Sequence, residues 1–311
     1  MSPGSRLGDI ALPAALALLR GPEGLALRTG PVVFRARTPL PDVAARILAL
    51  YADYPVCGDV DLVDFDVSIV RPRGPRHWIK PQVSFEMDGH HPFNPLAGDQ
   101  GFPLLEWGLN WCVYSSCHQY LVLHAAVVAR DGRALILPAP SGSGKSTLCA
   151  ALSLSGWRLL SDELALINSD GQIVPLPRPV SVKNQSIAVL SQHFPSLRFG
   201  SRVEETVKGV VAHFAAPTDA VLRAAELAMP AWVVLPRYKP GAATTLKPLT
   251  RAEGFMSLIE NAFNYDLFGA AGFERLATVI DGCRCFEFEY SDLHEALHAF
   301  DALAAAETPA P

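Results

Sequence analysis

Lys145, Ser146 and Thr147 follow a run of small residues, and the group has the composition of a phosphate cradle. The stretch LILPAPSGSGKSTLCAAL (135–152) passes from apolar residues through a small-residue loop into a helical pattern. Such a loop curls backbone N–H groups around an anion, and the helix N-terminus behind it adds partial positive charge. Positions 139–146 meet the form G-x-x-x-x-G-K-[ST], except that Ala139 stands where the first glycine belongs. The candidate nucleotide-binding residues are Ser141, Gly142, Ser143, Gly144, Lys145, Ser146 and Thr147. In this pattern Lys145 reaches the β- and γ-phosphates and Ser146 offers its hydroxyl to Mg²⁺. The same composition would also suit a plain Gly/Ser turn. The apolar strand expected before it and the helix expected after it favour the phosphate reading.

A phosphate loop alone names no reaction, because ATPases, GTPases, motors and small-molecule kinases share it. Discrimination rests on the surrounding residues. Asp162 and Glu163 stand 17 and 18 residues after Lys145, between two short apolar runs. In phosphoryl transfer, carboxylates hold Mg²⁺ or take the proton of the attacking hydroxyl. The pair also reads as a polar hairpin tip. His124 stands 21 residues before Lys145 inside the apolar run YLVLHAAVVA. A histidine there can be a satisfied core residue. If its strand pairs antiparallel with the strand before the loop, it falls beside the loop. Arg178, Lys183, Lys208 and Arg237 sit in Pro- or Gly-flanked segments and are candidate cations for developing charge. Arg178 and Arg237 lead, since the guanidinium fork suits phosphate. His213, and His90 with His91 as a metal pair, are weaker candidates. No apolar strand ending in the acidic pair of a motor ATPase is evident.

These residues need elements to hold them. In residues 1–118, PVVFRART reads as a strand, and Pro41 and Asp42 open a helix with Val43, Ile47, Leu50 and Tyr51 on one face. Phe65, Val67 and Ile69 alternate with polar residues, as do Val83, Phe85 and Met87, predicting half-buried strands. DGHHPFNPLAGDQG reads as a loop and 104–116 as an apolar helix. Residues 10–19, IALPAALALL, predict a buried helix turn rather than a signal peptide. From Tyr120 the runs become continuously apolar, as in buried strands: YLVLHAAVVA, RALILP, AWVVLP and CRCFEFEY. WRLLSDELALI lies between the second and third of these, followed by a Pro-rich stretch and a less regular region to Met229. Phe255, Leu258, Ile259, Ala262 and Phe263 mark a helix, and Asp292 caps a final one. The expected organisation is an α+β domain at 1–118, a phosphate-loop domain at 119–305, and a frayed tail at 306–311.

The formal charge of −5 and pI near 6.0 argue against a bulk nucleic-acid binder. No apolar run approaches the roughly 20 residues that cross a bilayer. Six cysteines without a CxxC pair predict reduced, mostly buried thiols and a cytoplasmic protein.

The segment LHAAVV…DGRALILPAPSGSGKSTLCAALSLSGWRLLSDELALI resembles the catalytic core of HPr kinase/phosphorylase. RPVSVKNQSI, KGVVAHFAAP and VVLPRYKPGA are similar to a diverged branch, the HPr-kinase-related type A kinases. The resemblance spans about residues 120–300. It implies an α/β P-loop kinase core of HPr kinase/PEP carboxykinase-like type, preceded by the smaller α+β domain as a substrate- or partner-binding unit. It further implies ATP and Mg²⁺ as cofactors and a Ser or Thr hydroxyl on a peptide or small protein as acceptor, in a peptide-modification system with a small peptide-chaperone partner. The implied catalytic set is Asp162 as base, His124 tuning it, Lys145, Glu163 near the metal with Ser146, and Arg237 and Arg178 as cations. The family also implies a homo-oligomer. The family's longer acidic-plus-arginine signature is replaced here by VPLPRPVSVKNQS, and the second acidic position is Glu163 rather than aspartate. A small-molecule kinase and a non-catalytic ATP-binding switch are the competing functions.

Overall fold

The computed structural model describes residues 5–58, 62–72, 80–140 and 142–306. The chain forms two compact units. One lies within Met1–Ser116, Arg178–Ser191 and Ser196–Leu222, the other within Cys117–Pro177, Gln192–Pro195 and Arg223–Pro311.

The first unit begins with α1 (Leu12–Arg20), β1 (Leu25–Thr29), β2 (Val32–Arg37), α2 (Pro41–Leu50), β3 (Phe65–Val70), β4 (Gln82–Met87), β5 (Leu96–Ala97) and α3 (Gly101–Ser116). The strands form one sheet in the order β1-β2-β3-β4-β5, antiparallel except for the β2–β3 pair. Parallel neighbours need a crossover, and α2 supplies it. Pro41 at its start has no N–H to leave unpaired. Val43, Ala44, Ile47 and Leu50 form its buried stripe. β3 alternates buried and half-buried residues along its whole length. The apolar 10–19 run does make a helix. Yet α1 buries only Ala15 and Leu19, and Leu12 is 60% exposed, so it is a one-stripe surface helix rather than a buried turn. The segment expected to be all loop before α3 contains β5 and a short 3₁₀ turn at Gly98–Gln100.

The chain then enters the second unit: β6 (Leu121–Arg130), β7 (Arg133–Pro138), α4 (Lys145–Leu154), β8 (Arg158–Ser161), β9 (Leu164–Ile167) and β10 (Ile173–Val174). Next come β11 (Val180–Lys183), α5 (Gln185–His193), β12 (Val203–Thr206), β13 (Gly209–Phe214) and α6 (Thr218–Leu222). β11, β13 and β12 form a three-stranded antiparallel sheet in a region where the sequence shows little regularity. This sheet belongs to the first unit. Arg178 meets Glu106 and Asn110 on α3, His213 packs its ring edge-on to Phe102 at 5.1 Å, and the Thr218 hydroxyl donates to Asp53. The chain thus returns to the first unit near residue 178 and leaves it again near 222. Consecutive domains at 1–118 and 119–305 do not include that return. Short strands of four and six residues, with side-chain contacts such as Arg178–Glu106 and Thr218–Asp53 that reach far back in the sequence, leave no periodic signal of it.

The second unit is completed by β14 (Met229–Tyr238), β15 (Thr245–Leu249), α7 (Arg251–Glu260), α8 (Tyr265–Phe268), α9 (Ala270–Asp281), β16 (Arg284–Tyr290) and α10 (Leu293–Ala305). Its sheet runs β10-β9-β6-β7-β14-β16-β15, with β8 also pairing β6. β7, β14 and β16 are mutually parallel, and the remaining pairings are antiparallel. Leu121, Leu123, Ala125 and Val127 of β6 join Ile136, Val233, Leu258, Leu276 and Val279 in one apolar cluster. Their odd numbers put them on one face of β6, and the even-numbered residues, His124 among them, lie on the other. Both faces are covered, which is why the run reads as continuously apolar. Asp292 caps α10 through the Glu295 N–H, as its position before the apolar pattern predicts. Of the expected tail, residues 307–311 lie outside the described residues. No described helix is long and apolar enough to cross a membrane.

Candidate functional site

Three junctions of the second unit converge on the middle of β6. β7 pairs antiparallel with β6, with Pro138 opposite Ala125, so the loop leaves the sheet beside His124. On the other edge of β6, Ser161 at the end of β8 lies opposite Val127, and Leu164 at the start of β9 lies opposite His124. Asp162 and Glu163 are the two residues between those strands. β8 and β9 run in one direction along that edge, so the acidic pair sits at a bend of one interrupted strand and not at a hairpin tip, and the register alone brings it and the candidate phosphate loop to residues 124–127 of β6.

The loop runs from the end of a parallel strand into α4, where open α/β sheets bind ligands. Gly142 and Gly144 have φ of +90° and +89°, which a side-chain-bearing residue adopts only with strain. Gly144 is the N-cap of α4. A Cβ there would come within 2.5 Å of the Tyr290 hydroxyl and 2.9 Å of the Tyr238 Cβ. Lys145 follows, buried to 5% exposure, with its ammonium 3.0 Å from Nε2 of His124. A lysine ammonium can only donate, so Nε2 accepts and the ring proton sits on Nδ1. Ser146 and Thr147, in the first turn of α4, are half-buried. Ser141 lies outside the described residues. Ala139, in the place of the missing first glycine, is buried at 3% exposure.

Asp162 is 8% exposed and Glu163 half-buried. Ser161 anchors their turn: its hydroxyl accepts the Leu164 N–H, and its carbonyl lies 3.8 Å from the Cys149 thiol on α4. Cys149 reports the local field. Its thiol is pushed well above the usual range, first by burial and then by the Asp162 charge, with Lys145 pulling the other way. One buried side chain on α4 thus feels both the candidate base and the phosphate-loop lysine.

Past Pro138 the edge of β6 vacated by β7 is taken up by residues 261–264. The His124 N–H donates to the Asn261 carbonyl at 2.6 Å, and the Phe263 N–H to the Val122 carbonyl at 2.9 Å. The buried Asn264 side chain accepts from the Val122 N–H and donates to the Tyr120 carbonyl. The Phe263 ring lies 6.0 Å from that of His124. These residues hold the histidine strand straight at the site. Nothing in their spacing points to the role, because they pair with a strand about 140 residues earlier.

The candidate cations divide. Arg237 lies in the second unit, at the C-terminal end of β14, 66% exposed and 3.3 Å from Glu287. The next residue, Tyr238, donates its N–H to the Ser143 carbonyl, so Arg237 is one residue from a strand position that touches the loop. Arg178 lies in the first unit. It is buried at 6% exposure and 3.6 Å from the Glu106 carboxylate, which in turn accepts the Tyr51 hydroxyl at 2.6 Å. Lys208 sets its ammonium 5.2 Å from the Trp107 ring centroid, and His213 is buried against Phe102; both are in that same unit. His91 faces Glu86 at 3.9 Å. Among the described residues, no three His, Cys, Asp or Glu side chains gather as a metal site. Five of the six free cysteines are buried and Cys57 is half-buried.

A family model described as SynChlorMet cassette protein ScmC matches residues 105–182. That span includes His124, the loop and the acidic turn. No curated protein matches the chain. Among solved structures, the chain is similar to the Hpr(Ser) kinase/phosphatase from Coxiella burnetii, at 14% identity and a TM-score of 0.27. That match covers 60% of this chain and 98% of the other.

Proposed function

We propose that the chain is an ATP-dependent kinase that transfers the γ-phosphate to a Ser or Thr hydroxyl of a peptide or small protein. The convergence on β6 carries this reading: the His124–Lys145 contact at 3.0 Å, with Asp162 on the turn beside it. A phosphate loop with no buried carboxylate near its lysine would suit binding alone.

The proposed roles follow from position. The N–H groups of 142–145 and the start of α4 cradle the β- and γ-phosphates. Lys145, held by His124, bears on the terminal phosphate and takes up its developing charge. The acceptor oxygen forms a bond to the γ-phosphorus as the bond to the β-bridging oxygen breaks, and ADP leaves. The acceptor proton passes to Asp162. A carboxylate of ordinary basicity suffices, because such transition states are loose and positioning contributes most of the catalysis. The Ser146 hydroxyl with the Glu163 carboxylate is an all-oxygen donor set that fits Mg²⁺, which typically takes one or two carboxylates, waters and substrate phosphates. When bound, Mg²⁺ neutralises phosphate charge. Arg237 adds positive charge at the sheet edge by the loop.

The matching family is described as a cassette protein, and a kinase whose acceptor is encoded nearby is compatible with that description. The test is phosphate transfer from [γ-³²P]ATP and Mg²⁺ to a panel of peptides encoded near the gene. Label in a Ser- or Thr-containing peptide is expected. Label confined to small metabolites would overturn the peptide acceptor, and nucleotide binding without any transfer would overturn the kinase.

A further inference from the structure

The sequence singles out the phosphate loop's front, but its back is held by two tyrosines that the phosphate-loop pattern does not include. Tyr290, the last residue of β16, donates its hydroxyl to the Gly144 carbonyl at 3.1 Å. Tyr238, the last residue of β14, donates its N–H to the Ser143 carbonyl at 2.9 Å. The Gly144 carbonyl also accepts the Leu148 N–H, at 3.0 Å, as the first hydrogen bond of α4. The two tyrosine rings meet edge-on at 5.7 Å, and Phe288 stacks on Tyr290 at 5.2 Å. The Lys239 N–H donates to the Tyr290 carbonyl at 2.9 Å, locking the ends of β14 and β16 together.

The geometry has a direct consequence for anion binding. A carbonyl turned toward a phosphate repels it; an N–H attracts it. Here both carbonyls preceding Lys145 are drawn to the strand side, so the peptide N–H groups of the same units point the other way. Gly144 must be glycine to permit this, since its φ is +89° and a Cβ would strike the Tyr290 hydroxyl. Burial, and then the neighbouring Tyr238, raise the Tyr290 phenol far above neutral pH, so it remains a donor.

We infer that Tyr290 is a positioning residue for nucleotide phosphate: its hydroxyl, acting through the Gly144 carbonyl, presets the loop in its anion-receiving form before ligand arrives. The inference rests on the nucleotide-binding reading above. It concerns affinity rather than chemistry, because Tyr290 touches the loop's carbonyl side and not the reacting atoms.

The test is titration of the full-length chain with a fluorescent N-methylanthraniloyl-ATP and Mg²⁺, comparing wild type with Tyr290→Phe. The variant keeps the ring, its stack on Phe288 and its edge contact with Tyr238, and loses only the hydroxyl. Losing one such hydrogen bond is expected to weaken nucleotide binding about five- to tenfold. The KM for ATP should rise by a similar factor, with kcat at saturation within about twofold of wild type. A merely structural role would instead lower thermal stability and kcat together. Equal nucleotide affinity of the two proteins would overturn the role of Tyr290. Absence of nucleotide binding by the wild type would overturn the nucleotide reading itself, and this role with it.

Discussion

His124 illustrates how one residue's meaning depends on its partner. In the sequence it is an isolated histidine in an apolar run, equally at home in a core. In the structure its Nε2 accepts from the Lys145 ammonium at 3.0 Å. That contact helps to orient the ammonium at the end of a buried four-carbon stem. Replacing His124 by Ala removes that contact and opens space beside Lys145. We expect kcat for phosphate transfer to fall by about 10- to 100-fold, the range of a lost positioning contact, with a smaller effect on nucleotide affinity. Steady-state kinetics of the purified variant checks this, and an unchanged kcat would make His124 a core residue after all. The adjacency was legible in the sequence only as a conditional: it required the two strands to pair antiparallel, as β6 and β7 do. Arg178 is the contrary case. Its Pro-flanked segment made it a candidate cation for phosphate, whereas its guanidinium is buried with Glu106 and Asn110 in the first unit. A pairing across some 70 residues of sequence leaves no local mark.

At the scale of elements, the strand–loop–helix unit was readable because it is local: the helix α4 follows its glycine. The acidic pair is not a hairpin tip, because β8 and β9 run on in one direction along β6 with only a two-residue bend between them. What was not readable is how the loop is held. The anchors come from the far ends of β14 and β16, and Tyr290 lies 146 residues from the carbonyl it meets. The small β11–β13–β12 sheet has no sequence signal because its strands are only four to six residues long. The loop is also where a minimal change should have the largest effect. Gly144→Ala must pay for a left-handed φ, about 1 kcal/mol or more, and must displace the Tyr290 hydroxyl 2.5 Å away. We expect nucleotide affinity to fall by more than tenfold while far-UV circular dichroism stays that of the wild type. Retained affinity would show that the loop adapts freely and that its preset form is irrelevant.

The whole molecule carries a predictable response to alkali. Cys149 and Tyr290 in the second unit and Tyr51 in the first all have their ionisation shifted upward, in each case chiefly by burial. The unfolded chain therefore loses these protons at lower pH than the folded one. Their contribution to stability is complete below the unfolded values and falls as pH rises through them, from about pH 9 upward. Thermal melts between pH 7 and 10.5 should show Tm declining above about pH 9, and the Tyr290→Phe variant should decline less steeply. A melting temperature flat across that range would contradict the burial of these groups. The change in apolar patterning near Tyr120 falls close to Ser116, where the first segment of the first unit ends. The return of the chain to the first unit could not be read from the sequence, because tertiary partners rather than composition decide it.

The central claim is that Asp162 serves the transfer of phosphate and not the holding of nucleotide. It is tested most directly by measuring both properties in Asp162→Asn: nucleotide affinity by titration, and single-turnover transfer of label from [γ-³²P]ATP to the acceptor peptide. The expected result is affinity within a few-fold of wild type and transfer reduced by at least about 100-fold, as for loss of a positioned general base. Transfer equal to wild type, or a loss of affinity large enough to account for the loss of transfer, would contradict it.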